Sequence, residues 1–201
     1  QKAAPKIEDN RAGDSLSLIM INQKLGSIAT FDSSDNMRNW SGVTLWEATD
    51  DLVKKHPEAL GRVRSVKFSK FNLKSGETLP KEVGNLKFLE SFSVASNENN
   101  QIREVNLGDE ICSLKYLKNL TVQAYGLTQL PANFINLGKS LESLNLVSNN
   151  FNKLSDITDI VNEKNFPKLR NLILYAQRRT DVVTNIASLG EMNASGVYVY
   201  N

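Results

Sequence analysis

The chain has one cysteine, Cys112, so it cannot close an internal disulfide. It has one histidine, His56. A zinc site built from several converging His and Cys ligands is thereby excluded. Nucleophilic catalysis through a Ser-His-Asp arrangement would have to use His56. That residue sits in Lys54-Lys55-His56-Pro57-Glu58, a charged stretch that reads as a solvated helix end. Cys112 follows Glu110-Ile111 and reads as a small packed hydrophobe. An excess of one charge is missing too. Lys+Arg number 24 and Asp+Glu 22, a formal charge of +2. No basic surplus is left to neutralise a run of phosphates, so nucleic acid is not an expected partner.

Long apolar runs are absent. Runs such as Leu18-Ile19-Met20-Ile21, four residues, fall far short of the about 20 a membrane helix needs. No integral span and no signal peptide are read from the sequence. The chain opens on Gln1-Lys2-Ala3-Ala4-Pro5-Lys6, without Met, as a mature or truncated chain does. Carboxylates are plentiful, but none forms a recognisable catalytic pair, and no enzyme activity is expected. Asp32-Ser33-Ser34-Asp35-Asn36 carries oxygen ligands without the glycine and spacing of a calcium loop. No metal or other cofactor is expected.

What is present is a repeat. Apolar residues stand at positions 1, 4 and 6 of a short segment, often followed by Asn at position 9. The copies are Val63-x-x-Val66-x-Phe68, Leu89-x-x-Phe92-x-Val94, Leu117-x-x-Leu120-x-Val122, Leu141-x-x-Leu144-x-Leu146 and Leu169-x-x-Leu172-x-Leu174. A sixth is read as Ala194-x-x-Val197-x-Val199. The spacings are 26, 28, 24, 28 and 25 residues, within the leucine-rich repeat period of roughly 20–29. Positions 4 and 6 alternate with polar ones, which describes a strand with one buried face. A single repeat cannot bury that face, so neighbours must stack into a parallel sheet over one core. Asn at position 9 suits the turn off the sheet. Phe71, Tyr125 and Gln177 stand there in three copies, so the Asn ladder reads as incomplete.

Return segments are legible as well. Leu79-Pro80-Lys81-Glu82-Val83-Gly84-Asn85-Leu86 and Leu130-Pro131-Ala132-Asn133-Phe134-Ile135-Asn136-Leu137 share a plan: Leu-Pro ends an extended stretch and Pro opens a helical turn. Ser155 to Asn162 reads as a capped helix, and Gln101 to Val105 as a looping insertion. Upstream, residues 14–26 read as a helix capped by Asp14 or Ser15 and ended by Gly26, with Leu18, Ile21 and Leu25 on one face. Trp40 to Trp46 reads as a strand, and helix plus strand would seal the open end of the repeats.

The fold expected is therefore α/β: a right-handed leucine-rich repeat solenoid with a parallel, concave sheet of about five or six repeat strands and a helical N-terminal cap. Residues 1–13 are expected to be a disordered leader, 14–62 the cap and 63–201 the repeats, with 14–201 one domain.

The order Asp14-x-Leu16-x-Leu18-Ile19, Asn39-Trp40-Ser41-Gly42-Val43-Thr44, Gly61-Arg62-Val63 and Leu79-Pro80-x-x-Val83-Gly84-Asn85-Leu86 resembles the extracellular leucine-rich repeat proteins of plants and of Bacteroidetes-type bacteria. The resemblance covers roughly residues 14–200. In the plant members a cysteine pair brackets the Trp-x-Gly-Val segment, whereas here Leu45 stands where a cysteine is expected. The resemblance thus points to a bacterial surface or secreted member, with a lipid anchor upstream as one reading, and implies a ligand-recognition scaffold.

On that scaffold the binding surface is the concave face, made by the polar strand positions. Its candidate residues are Lys67, Asn119, Thr121, Gln123, Asn145, Asn171, Ile173, Tyr175, Tyr198 and Tyr200. The tyrosine end offers large contact area with polar tips. The expected ligand is a protein or peptide. A glycan is the alternative, since amides and hydroxyls bond sugar hydroxyls while rings stack on them. Self-association into a homodimer through a C-terminal edge strand is a third reading.

Overall fold

A computed structural model describes residues 6–27, 29–96, 104–123, 126–177 and 198–200. Seven strands form one open sheet in sequence order: β1 (Val43–Leu45), β2 (Val63–Phe71), β3 (Ser91–Ser96), β4 (Asn119–Gln123), β5 (Ser143–Asn145), β6 (Asn171–Ile173) and β7 (Tyr198–Tyr200). The β1–β2 pair is antiparallel and every later pair is parallel. Register follows the repeat. Val66 lies beside Phe92, Phe92 beside Leu120, Leu120 beside Leu144, and Leu144 beside Leu172. All five are buried, and the polar residues between them face the other way. A one-residue slip would expose this whole row, which is why the alternation specifies the pairing so firmly.

The sixth repeat corrects the sequence reading. Leu172 lies beside Val199, so Val199 and not Val197 occupies position 4. The slip is two residues, which preserves the face on which a residue falls. Residues 178–197, including most of the expected copy, lie outside the described residues.

Return segments run mainly as 3-10 turns, Lys81–Asn85, Glu110–Ser113 and Ala132–Lys139. Pro80 and Pro131 precede the first and last of these as caps instead of sitting inside the turn. Val83, Leu86, Phe134 and Leu137 point into the core as their spacing requires. The return after β5 contains a four-residue helix, α3 (Ser155–Thr158). Its N-cap is Leu154, and Asp156 accepts the Lys153 N–H at 3.1 Å in place of a Ser155 cap. Val105, the last residue of the stretch read as an insertion, is buried in the core; just beyond it Asn106 bridges Thr78 in parallel and Leu107 is buried, while 101–103 lie outside the described residues.

The N-terminal boundary also moves. Helix α1 spans Arg11–Leu25, and its cap is Asn10, whose side chain accepts the Gly13 N–H at 2.8 Å. Gly26, at φ 61°, ends it in the left-handed conformation that glycine adopts without a Cβ penalty. Asp14 lies in the first turn and is buried. It takes two hydrogen bonds from the Arg62 guanidinium and one from the Val63 N–H. Burial pushes the Asp14 carboxyl above its usual range, against the pull of that guanidinium. Asp9 also meets Arg62, at 2.8 Å, and Lys87, at 3.2 Å. Residues 6–13 are thus tied to β2 and are not a loose leader; residues 1–5 lie outside the described residues.

A short helix, α2 (Asp51–Lys55), follows β1 and ends at His56, which is partly exposed and stands 5.7 Å from the Tyr116 ring. The main core runs the length of the sheet. At its N-terminal end Phe31 stacks on Trp40 at 4.8 Å and meets the edge of Phe68. A second, smaller core holds Trp46, Val53, Ala59 and Phe88. Cys112 is buried in the main core as a small hydrophobe. Burial pushes its thiol up to about 12, aided by the negative charges of Asp109 and Glu110.

Two turns off the sheet share one geometry. Ser148 and Ala176 both sit at φ 59° and turn the following side chain inward. Asn149 then donates to the carbonyls of Val122 and Leu146 at 2.7 and 2.9 Å, and accepts the Leu127 N–H. One repeat later Gln177 donates to Leu146 and Leu174, both at 2.9 Å, and accepts the Phe151 N–H. The partners are equivalent in both repeats. The reading of Gln177 as a break in the ladder is therefore corrected: it continues it. Phe71 takes part in the β2–β3 pairing, and Tyr125 lies outside the described residues.

Candidate functional site

The solvent face of the sheet carries its polar side chains in straight rows. One row runs Ser65, Ser91, Asn119, Ser143 and Asn171, and the backbone register continues it to position 198. The next runs Lys67, Ser93, Thr121, Asn145 and Ile173, and the backbone register continues it to position 200. A third, shorter row is Ser69, Ala95 and Gln123. Neighbours within a row stand about 4.8 Å apart, and rows about 6.6 Å apart along the strands.

The candidate residues fall on this face as the alternation requires. Lys67, Asn119, Gln123 and Asn171 are exposed, while Thr121, Asn145 and Ile173 are half-buried. Asn119 donates to Ser91 Oγ at 2.9 Å, and Asn145 accepts the Val147 N–H at 3.0 Å. Thr44 and Ser65 share a hydroxyl–hydroxyl bond that extends the ordered row onto β1. Val147, at position 7, is buried and leaves the face. Tyr175 is 42% exposed, a large aromatic open to solvent two residues beyond Ile173. Register puts Tyr198 beside Asn171 and Tyr200 beside Ile173 through the backbone of β7. The face thus grades from short polar groups to an apolar and aromatic end.

A second surface, not singled out in the sequence, lies at the N-terminal rim of the sheet. Position 2 of the five repeats reads Arg64, Glu90, Lys118, Glu142 and Arg170, alternating in sign. Arg64 meets Glu90 at 3.1 Å, and Lys118 meets Glu90 and Glu142 at 4.0 and 3.9 Å. Beside this ladder is a groove of about 630 Å³. Trp46 lies at its base, and the Arg64 guanidinium covers the indole ring at 4.4 Å. The Trp46 N–H donates to the Phe88 carbonyl at 2.8 Å, and Tyr116 stacks on Phe88 at 5.5 Å. Lys55, Lys115, Lys139 and Lys168 also line the groove. From sequence the lysines of this region look scattered; the repeat gathers three of these, Lys115, Lys139 and Lys168. The signal that would have found them is that Lys115 and Lys139 each stand two residues before position 1, and Lys168 one residue before it.

Among the described residues no three His, Cys, Asp or Glu side chains converge to hold a metal. No helix among them is long and apolar enough to cross a membrane.

The class defined is a mixed α/β protein with one mostly parallel sheet of in-register repeat strands, which fits a leucine-rich-repeat-like fold. No protein-family model matches the chain, and no curated protein matches it. Among solved structures it is similar to a plant ice-binding protein, with TM-score 0.56 and 19% identity over 85% of this chain and 50% of that one. A crystal structure of PEPR1-AtPEP1 matches with TM-score 0.46 and 21% identity, over 83% of this chain and 25% of that one. The chain spans half the length of the first and a quarter of the second. At 19% identity the likeness to the first is one of fold alone.

Proposed function

We propose that this chain is a non-enzymatic recognition module, a leucine-rich repeat solenoid that seats a protein or peptide on the solvent face of its sheet. The carrying observation is the grading of that face. Rows of short hydroxyl and amide groups end at half-buried Ile173 and exposed Tyr175, with β7 bringing Tyr198 and Tyr200 alongside in register. A rigid parallel scaffold holds these groups at fixed spacing, so little ordering is required of the protein on binding. Aromatic residues beside a polar field are the composition of a binding hot spot and its rim. The reading places the protein outside the cell, at a bacterial surface or secreted.

The test is pull-down from surface extracts with wild type beside Tyr175→Ala and Ile173→Ser. A protein held by wild type and lost by both variants supports the reading. Equal retention by all three would move the site off this face, and capture of nothing but glycan would replace the ligand class. Sedimentation at high concentration separates capture of a partner from self-association.

A further inference from the structure

We propose that the groove at the N-terminal rim of the sheet binds an acidic oligosaccharide, with Lys115, Lys139 and Lys168 taking its carboxylates in successive repeats. This surface is separate from the solvent face of the sheet, and the inference does not rest on the function proposed for that face.

The three lysines precede β4, β5 and β6, which are consecutive neighbours in the sheet, and all three line the same groove. Sheet spacing sets about 4.8 Å between successive repeats. That is a step close to the length of one sugar in an extended 1,4-linked chain. Of the other cations of the groove, Arg64 is engaged by Asp50 and Glu90 and Lys118 by Glu90 and Glu142, while Lys55 stands on α2, outside the repeats. Lys115, Lys139 and Lys168 are exposed and form no ion pair among the described residues. Their charge is directed at solvent or at a ligand.

The remaining lining chooses between ligand classes. Glu142 and Asp51 offer carboxylate acceptors, and Ser140 and Thr49 offer hydroxyls. A ligand that carries both hydroxyl donors and anionic groups satisfies both sets, and a uronic-acid chain is such a ligand. A protein partner fits less well. Of the two aromatics in the lining, Trp46 is 4% exposed and lies under Arg64, and Tyr116 is half-buried with its ring stacked on Phe88, so no fully exposed aromatic anchor is offered. Lysine is also depleted at the centres of protein interfaces. A nucleic-acid backbone would meet the carboxylates of the ladder at each second repeat.

The experiment is calorimetric titration of the whole chain with oligomannuronate at low salt. A β-1,4-mannan oligosaccharide of equal length supplies the same backbone without carboxylates, and poly-glutamate supplies carboxylates without sugar. Oligomannuronate is expected to bind, more weakly as salt is raised, and the neutral chain is not. Lys115→Gln/Lys139→Gln/Lys168→Gln is expected to lose about tenfold or more in affinity, while the corresponding triple Arg variant keeps binding. All three positions are exposed and unpaired, so a thermal melt confirms that both variants fold. No binding, equal binding of the neutral chain, or unchanged affinity in the Gln variant overturns the proposal. Poly-glutamate bound as tightly as oligomannuronate overturns it in favour of an acidic peptide.

Discussion

Arg62 and Asp14 form a bidentate pair across 48 residues of sequence. Arg62 Nε donates to Asp14 Oδ2 and Nη2 to Oδ1, both at 3.0 Å. The side chains are 4% and 1% exposed, so the pair joins α1 to the start of β2 almost without water. Breaking it by removing one partner strands a buried charge. Arg62→Ala is therefore expected to lower unfolding free energy by about 3–5 kcal/mol in urea titration. Replacing both, as Asp14→Leu/Arg62→Met, is expected to recover part of that loss, since the Val63 N–H is left without its acceptor. A single-variant loss below about 1 kcal/mol would show the pair to be water-screened.

Asp9 gives the pH dependence of the same contact. The Arg62 hydrogen bond holds its carboxyl below the usual range, with Lys87 adding to the effect. A carboxyl with a depressed folded value binds its proton more weakly folded than unfolded. Its stabilisation is then present above the unfolded value of about 3.9 and is lost as pH falls through the lower folded value. Wild type is expected to exceed Asp9→Asn in stability at neutral pH, and the gap is expected to close below about pH 4. Denaturant titrations of both chains at several pH values measure it. A gap that stays constant into acid would rule the contact out as its source.

Gln177 is expected to behave as a structural equivalent of Asn149. Each side chain ties carbonyls of two successive repeats and accepts one buried N–H. Gln177→Leu and Asn149→Leu leave those groups unpaired, at about 1–3 kcal/mol for each unsatisfied group. Both variants should fall well below wild type in urea midpoint. A Gln177→Leu midpoint matching wild type would remove Gln177 from the ladder.

Cys112 is expected to be inert while the protein is folded. Its thiol is buried and pushed up to about 12, and only thiolate reacts. A thiol-reactive dye at pH 8 should label the unfolded chain completely and the native chain only at the rate of unfolding. Prompt labelling of native protein would contradict the burial.

The strands were legible because one physical rule generates them: residues at positions 4 and 6 must reach the core, and one shared face forces one register. Val66, Phe92, Leu120, Leu144 and Leu172 follow from that rule alone. The sixth copy was misplaced because Val197 and Val199 have the same parity, so alternation cannot choose between them. The helix cap was misread because Asp14 is a good cap by type, whereas its carboxylate is drawn inward by an arginine far along the chain. Gln177 was read as a fault because its extra methylene changes the name of the residue and not the reach of its amide. The rows of the candidate face were foreseeable from the pattern, since they need only parity. The rim groove was not, since it collects residues from α2, from the turns and from position 2 of several repeats.

The alternation of Arg64, Glu90, Lys118, Glu142 and Arg170 works as a parity check on the number of repeats. Deleting one whole repeat from the middle would set two like charges side by side, as Arg64 against Lys118, while deleting two would restore opposite neighbours. The same rule acts on duplication. A single extra copy of any repeat brings its position 2 against an identical charge, whereas a copied pair fits.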